Sequence, residues 1–175
     1  QTFDHYQDGR GTTIPSGYRS QDYFTKIGFS TKNLSRYEIG IQQQFGRDIA
    51  HPTLPMDTSF DDTSILHFIG KTKLSNSKLQ ELQTRAYASF VEHQMHNLNR
   101  PNANMMQMIT DVESQTIGGK IEGIWRIRQL QLYTGFDWFY LARDGQKVTQ
   151  TMMNHQFSTN DIWQKSINTN LGLFI

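Results

Sequence analysis

His93 and His96 stand three residues apart in the run Glu92-His93-Gln94-Met95-His96. On a helix that spacing places two imidazoles one turn apart, where they can share a metal ion. The order is Glu-His-x-x-His and not the His-Glu-x-x-His of zinc proteases, so the glutamate is misplaced for that chemistry. His93 also falls on an apolar stripe with Leu79, Leu82, Ala86 and Phe90, where a histidine usually serves packing. With no third ligand in the local sequence, His93 and His96 stand as a candidate metal pair and packing is the favoured reading.

Other constellations carry less. Ser75-Asn76-Ser77-Lys78 has Ser-x-x-Lys spacing, in which a lysine one turn on can activate the hydroxyl. Its companion motifs are missing or out of order, and serines at that position are also what helix capping demands. Asp57, Asp61 and Asp62 do not fit an EF-hand loop. Glu113 and Glu122 form no specific carboxylate pair. There is no Walker loop, no Gly-x-Gly-x-x-Gly and no Gly-x-Ser-x-Gly elbow. The expectation is therefore a protein that is not an enzyme and needs no cofactor.

The most suggestive surface is aromatic. Trp125, Arg126, Arg128, Phe136, Trp138, Phe139 and Tyr140 fall within a short span that alternates like a strand. Of Phe136, Trp138 and Tyr140 against Phe139 and Leu141, one set alone can lie inside. The other set is left as a surface for a visitor, and aromatic and arginine side chains dominate such contacts. The sequence points to a protein or glycan partner bound there.

The elements that would position these residues read as α+β. Residues 1–20 are rich in Gly, Ser, Thr and Asp and are expected as a flexible arm; 21–175 read as one domain. Runs around Tyr23–Phe29 and Tyr37–Ile41, split by Lys32-Asn33-Leu34-Ser35, predict a hairpin. Residues 65–69 predict a short strand. Ser77 and Gln80 have capping-box spacing, and Leu79, Leu82, Ala86 and Phe90 recur at helical spacing, which predicts an amphipathic helix over 76–98. A shorter helix is expected over 102–116. A three-strand meander follows, with breaks at Thr134-Gly135 and Asp144-Gly145 and a bulge near Arg128-Gln129. A short last helix is capped by Ser158 or Thr159. The expected architecture is an antiparallel sheet, hairpin plus meander, packed against the long helix and the second one.

Composition bounds the class. The chain has 175 residues, a net charge of +1 and no Cys, which excludes disulfides, thiolate metal sites and cysteine nucleophiles. Near-neutral charge argues against nucleic acid. No apolar run approaches the roughly 18 residues of a membrane helix, so no helical span is expected and the chain reads as soluble. Gln, Asn, Ser and Thr supply about a third of the residues; this polarity leans towards an exported protein, periplasmic or secreted. The function expected is a binding or assembly domain. The alternatives are a metal-dependent enzyme built on His93 and His96, and a subunit of a larger secretion or surface assembly or oligomer.

Overall fold

The computed structural model describes residues 1–75 and 78–175. It is an all-β molecule. Three two-residue strands, β1 (Thr2–Phe3), β2 (Tyr6–Gln7) and β3 (Thr13–Ile14), precede seven long ones: β4 (Tyr18–Ser30), β5 (Arg36–Ile49), β6 (Asp57–Lys73), β7 (Leu79–His96), β8 (Met106–Ile127), β9 (Leu130–Thr151) and β10 (Gln156–Phe174). One sheet of eight strands holds β1 and β4 to β10. From β4 onward each strand lies antiparallel to the next in sequence. Among the described residues the helical element is a single 3₁₀ turn, Pro101–Asn104.

This overturns the α+β expectation. The helix over 76–98 is β7 from Leu79 onward, and the second helix is replaced by the 3₁₀ turn and the first half of β8. Ser77 of the proposed capping box lies outside the described residues, as does Asn76. The apolar stripe has a second reading. Leu82, Ala86 and Phe90 also belong to the period-two set Leu82, Thr84, Ala86, Ala88, Phe90. In a strand these share a face, and β6 and β8 pair with β7 from either side. The last predicted helix is likewise β10.

The expected three-strand meander is replaced by the longer strands β8, β9 and β10, whose turns fall elsewhere. Arg128-Gln129 is the two-residue turn between β8 and β9, with Arg128 at φ 57°, and not a bulge. Thr134-Gly135 and Asp144-Gly145 lie inside β9. Gly135 is roofed by the ring of Phe174, which takes the space a Cβ would fill, whereas a Cβ at Gly145 would meet its neighbours at ordinary van der Waals distances. The hairpin expected around residues 31–35 joins β4 to β5.

No second layer covers this sheet. Ala103, 6% exposed, is the one buried hydrophobic residue among those described. Large apolar side chains are open instead: Ile27 is 68% exposed, Phe29 62% and Leu173 85%. A soluble monomer rarely exposes a contiguous apolar surface of this kind.

Candidate functional site: a two-faced wall

Strand register sorts the side chains into two faces, because Cα partners across an antiparallel pair point the same way. One face carries Ile27 and Phe29 of β4, Ile39 and Ile41 of β5, Leu66 and Phe68 of β6, Ala86 and Ala88 of β7, Ile117 and Ile121 of β8, Phe136 and Trp138 of β9, and Leu171 and Leu173 of β10. Within residues 21–29, 37–45, 64–72, 82–90, 115–127, 130–142 and 167–173, this face has no Asp, Glu, Lys, Arg or His. The band is continuous across seven strands. From Ile117 to Ile127 it runs about 33 Å along β8 at about 3.3 Å per residue. At a strand tilt of about 40° that is close to 25 Å of height, the depth of the apolar belt on a transmembrane barrel.

The band has edges. One abuts the short turns at residues 31–35 and 128–129, with Phe29 tilted against Tyr37 at 5.2 Å and Trp125 Nε1 donating to Thr134 Oγ1 at 2.8 Å. At the opposite edge stand Tyr23, Phe45 and Phe90, and Phe60 lies further out on β6, past Asp62. The Arg47 guanidinium lies 5.8 Å from the Phe45 ring and 5.9 Å from that of Phe60. Arg47 pairs with Asp62, and this hydrogen bond raises the guanidinium pKa above its ordinary value. Beyond lies a transverse row of carboxylates, Asp62, Glu92, Glu113 and Asp144, each in register with the next. Like charges directly opposite repel, so the row needs the high dielectric of water. The uncharged band stops there, while β6 to β9 continue past it.

The other face is polar at the same height as the band. Lys26 and Arg36 hold Glu38 at 3.1 and 3.2 Å. Lys120 holds Glu122 at 2.7 Å, with Ile121 between them pointing to the apolar side. Lys73 pairs with Glu81, which accepts a further bond from Gln83 at 2.7 Å. His67 and Tyr87, in register, lie across Gly40 and Gly118 respectively, and both glycines leave the space these rings fill.

The sequence-derived candidates are divided by this geometry. Trp125, Phe136, Trp138 and Tyr140 lie on the apolar face; Arg126 and Phe139 lie on the polar face, and Arg128 is in the turn. They form no single patch. His93 and His96 do not converge. In a strand, residues three apart point to opposite faces, and His93 is instead 3.6 Å from Asp61 while His96 Nδ1 accepts from the Leu98 amide at 3.2 Å. No group of three or more His, Asp or Glu arranged for a metal occurs among the described residues. Sequence reasoning missed the band itself. Its signal was the alternation in Leu82 to Phe90 and Phe136 to Ala142, which had been assigned to helix and to a half-hidden strand.

At the loop end, away from the short turns, Arg100 clasps Asp57 with two nitrogens and also donates to the His51 carbonyl at 2.6 Å. These groups flank a cleft of about 500 Å³ that the N-terminal residues help to line.

An open, two-faced antiparallel sheet of long strands defines the class. Comparison with solved structures agrees. The chain superposes on the protein described as copper transporter OprC with a TM-score of 0.78 and 22% sequence identity, over 98% of this chain and 28% of that one. Identity at that level shows a shared fold, and this chain spans under a third of that protein's length. No protein-family model matches the chain, and no curated protein does either. No helix among the described residues is long and apolar enough to cross a membrane, a test that does not address strands.

Proposed function

We propose that this chain is a section of the wall of a membrane-embedded β-barrel, presenting its apolar band to lipid and its ion-paired face to a polar conduit for a transported solute. The observation that carries this reading is the pairing of faces at one height: Ile121 on a band without charge, flanked in sequence by the ion-paired Lys120 and Glu122 on the opposite face. In lipid every strand edge must be paired, since an unsatisfied backbone group there costs several kcal/mol. The free edge of β10 is accordingly joined by a further strand in the assembled barrel. Trp125, Phe136, Trp138 and Tyr140 then contact acyl chains and the headgroup boundary, where Trp and Tyr concentrate. The membrane context supports an exported protein, and the role is that of one part of a larger structure.

Single cysteines test this directly, because the chain has none of its own. Placed in turn at residues 83 to 91 of the protein reconstituted in lipid vesicles, they should react with a water-soluble maleimide at Gln83, Arg85, Ser89 and Val91. They should stay protected at Thr84, Ala86, Ala88 and Phe90. Uniform labelling of both sets overturns the reading.

A further inference from the structure

The apolar band is bounded by opposite charges. Past its loop-end edge runs the carboxylate row of Asp62, Glu92, Glu113 and Asp144. At the short-turn edge the segments that join strands carry cations: Lys32 between β4 and β5, Lys78 just before β7, Arg126 at the end of β8 and Arg128 in the turn to β9. Residues 31–35, 74–78 and 124–132 include no Asp or Glu, although the chain as a whole has 17 Lys and Arg against 16 Asp and Glu. The bias is one of place and not of composition.

These four residues are exposed, and among the described residues none of them forms an ion pair. The polar face differs: there Lys26, Arg36, Lys73 and Lys120 are each held by a carboxylate. The Arg126 amide donates to the Lys78 carbonyl at 2.8 Å, so Lys78 sits beside the end of β8. Apolar side chains reach this same level. Ile127 and its register partner Leu130 are 44% and 73% exposed, and both belong to the apolar face. Trp125, two residues before Ile127, is on that face too. The rim therefore sets unpaired cations beside uncovered hydrophobic side chains, the combination by which an interfacial surface holds anionic lipid. Attraction to an anionic surface acts over a Debye length of about 8–10 Å, so the four charges need not converge on one atom.

We propose that the short-turn rim seats anionic phospholipid headgroups, of the phosphatidylglycerol kind, along Lys32, Lys78, Arg126 and Arg128, with acyl chains against Trp125, Ile127 and Leu130. The proposal rests on the barrel reading for the presence of lipid at the band; the sign of the headgroup comes from the rim itself. The carboxylate row past the other edge repels the same headgroups, so the two edges of the band are not interchangeable.

The test uses Trp125 as its reporter, in the full chain carrying Trp138→Phe and Trp163→Phe and reconstituted in phosphatidylcholine vesicles. Brominated phosphatidylglycerol should quench Trp125 fluorescence more than brominated phosphatidylcholine at equal mole fraction, with a relative association constant of at least about fivefold, about 1 kcal/mol. The combined Lys32→Gln, Lys78→Gln, Arg126→Gln and Arg128→Asn variant should lose that preference; asparagine is chosen at 128 because it tolerates the positive φ there. Salt at about 1 M, where the Debye length falls to about 3 Å, should abolish the preference of the parent. Equal quenching by the two lipids in the parent overturns the proposal, as does a preference that survives in the variant. Quenching by neither lipid overturns it as well. The alternating cysteine pattern is read separately: its presence without a lipid preference removes the rim and keeps the barrel, and its absence with a preference keeps the rim on an interfacial sheet and removes the barrel.

Discussion

Tyr87 on β7 and Gly118 on β8 face each other in register, and a Cβ at Gly118 would stand 2.6 Å from Tyr87 Oη and 2.9 Å from the Trp138 carbonyl oxygen. The ring therefore occupies space that only glycine leaves. The tyrosine side chain can move, but the carbonyl belongs to the neighbouring strand and cannot easily do so. Gly118→Ala should cost about 1–3 kcal/mol, in the range of an overpacked site. Adding Tyr87→Ser should recover part of that loss and not all of it, because the Trp138 contact remains. Urea midpoints of the detergent-folded single and double variants decide this. A Gly118→Ala protein as stable as its parent would show that the ring is not seated there.

Arginine placed on the two faces should separate them energetically. Ala86→Arg puts a guanidinium in the middle of the band, where a barrel loses about 2–4 kcal/mol at the bilayer midplane. Ser89→Arg places the same charge on the face that already carries Arg85 and Lys120 in register, and should change stability by no more than about 0.5–1 kcal/mol. Reversible unfolding in vesicles reads both. Equal losses at the two positions would mean that β7 does not divide lipid from water.

The alternation that divides these faces was present in the sequence, and part of it was legible. Residues 23–29 and 37–41 announced the hairpin because aromatic and β-branched side chains bracket a polar break. Aromatic side chains on the strand around Trp138 were also visible, and the inference that one set is exposed follows from period two alone. What failed was the assumption of a core. Given a core to cover, Leu79, Leu82, Ala86 and Phe90 look like the buried stripe of a helix; on an uncovered sheet, the same residues need only alternate with Gln83, Arg85 and Ser89. Gly135 and Gly145 misled for a related reason. A glycine after Thr or Asp signals a turn when strands are short, but β9 runs from Leu130 to Thr151 with both glycines inside it, Gly135 under the Phe174 ring. The metal pair fell with the helix, since His93 and His96 converge at 3.6 residues per turn and diverge at two.

The clasp between Arg100 and Asp57 ties two loops that are remote in sequence. Both side chains are 13% exposed, so the ion pair is mostly removed from water, and Arg100 also holds the His51 carbonyl while the His51 amide donates to Asp57 Oδ1 at 3.0 Å. Removing one partner leaves the other desolvated and unpaired, which costs more than the pair itself contributes. Arg100→Ala should therefore destabilise the loop end by about 1–3 kcal/mol, the penalty of an unsatisfied buried group. Asp57→Asn should do less, because an amide oxygen still accepts from the guanidinium. Both effects should be local: protease cleavage within residues 50–56 and 97–105 should quicken, while the cysteine labelling pattern on β7 stays as in the parent. If Arg100→Ala instead leaves cleavage at both loops unchanged, the clasp does not hold them, and the cleft it flanks is not organised by this pair.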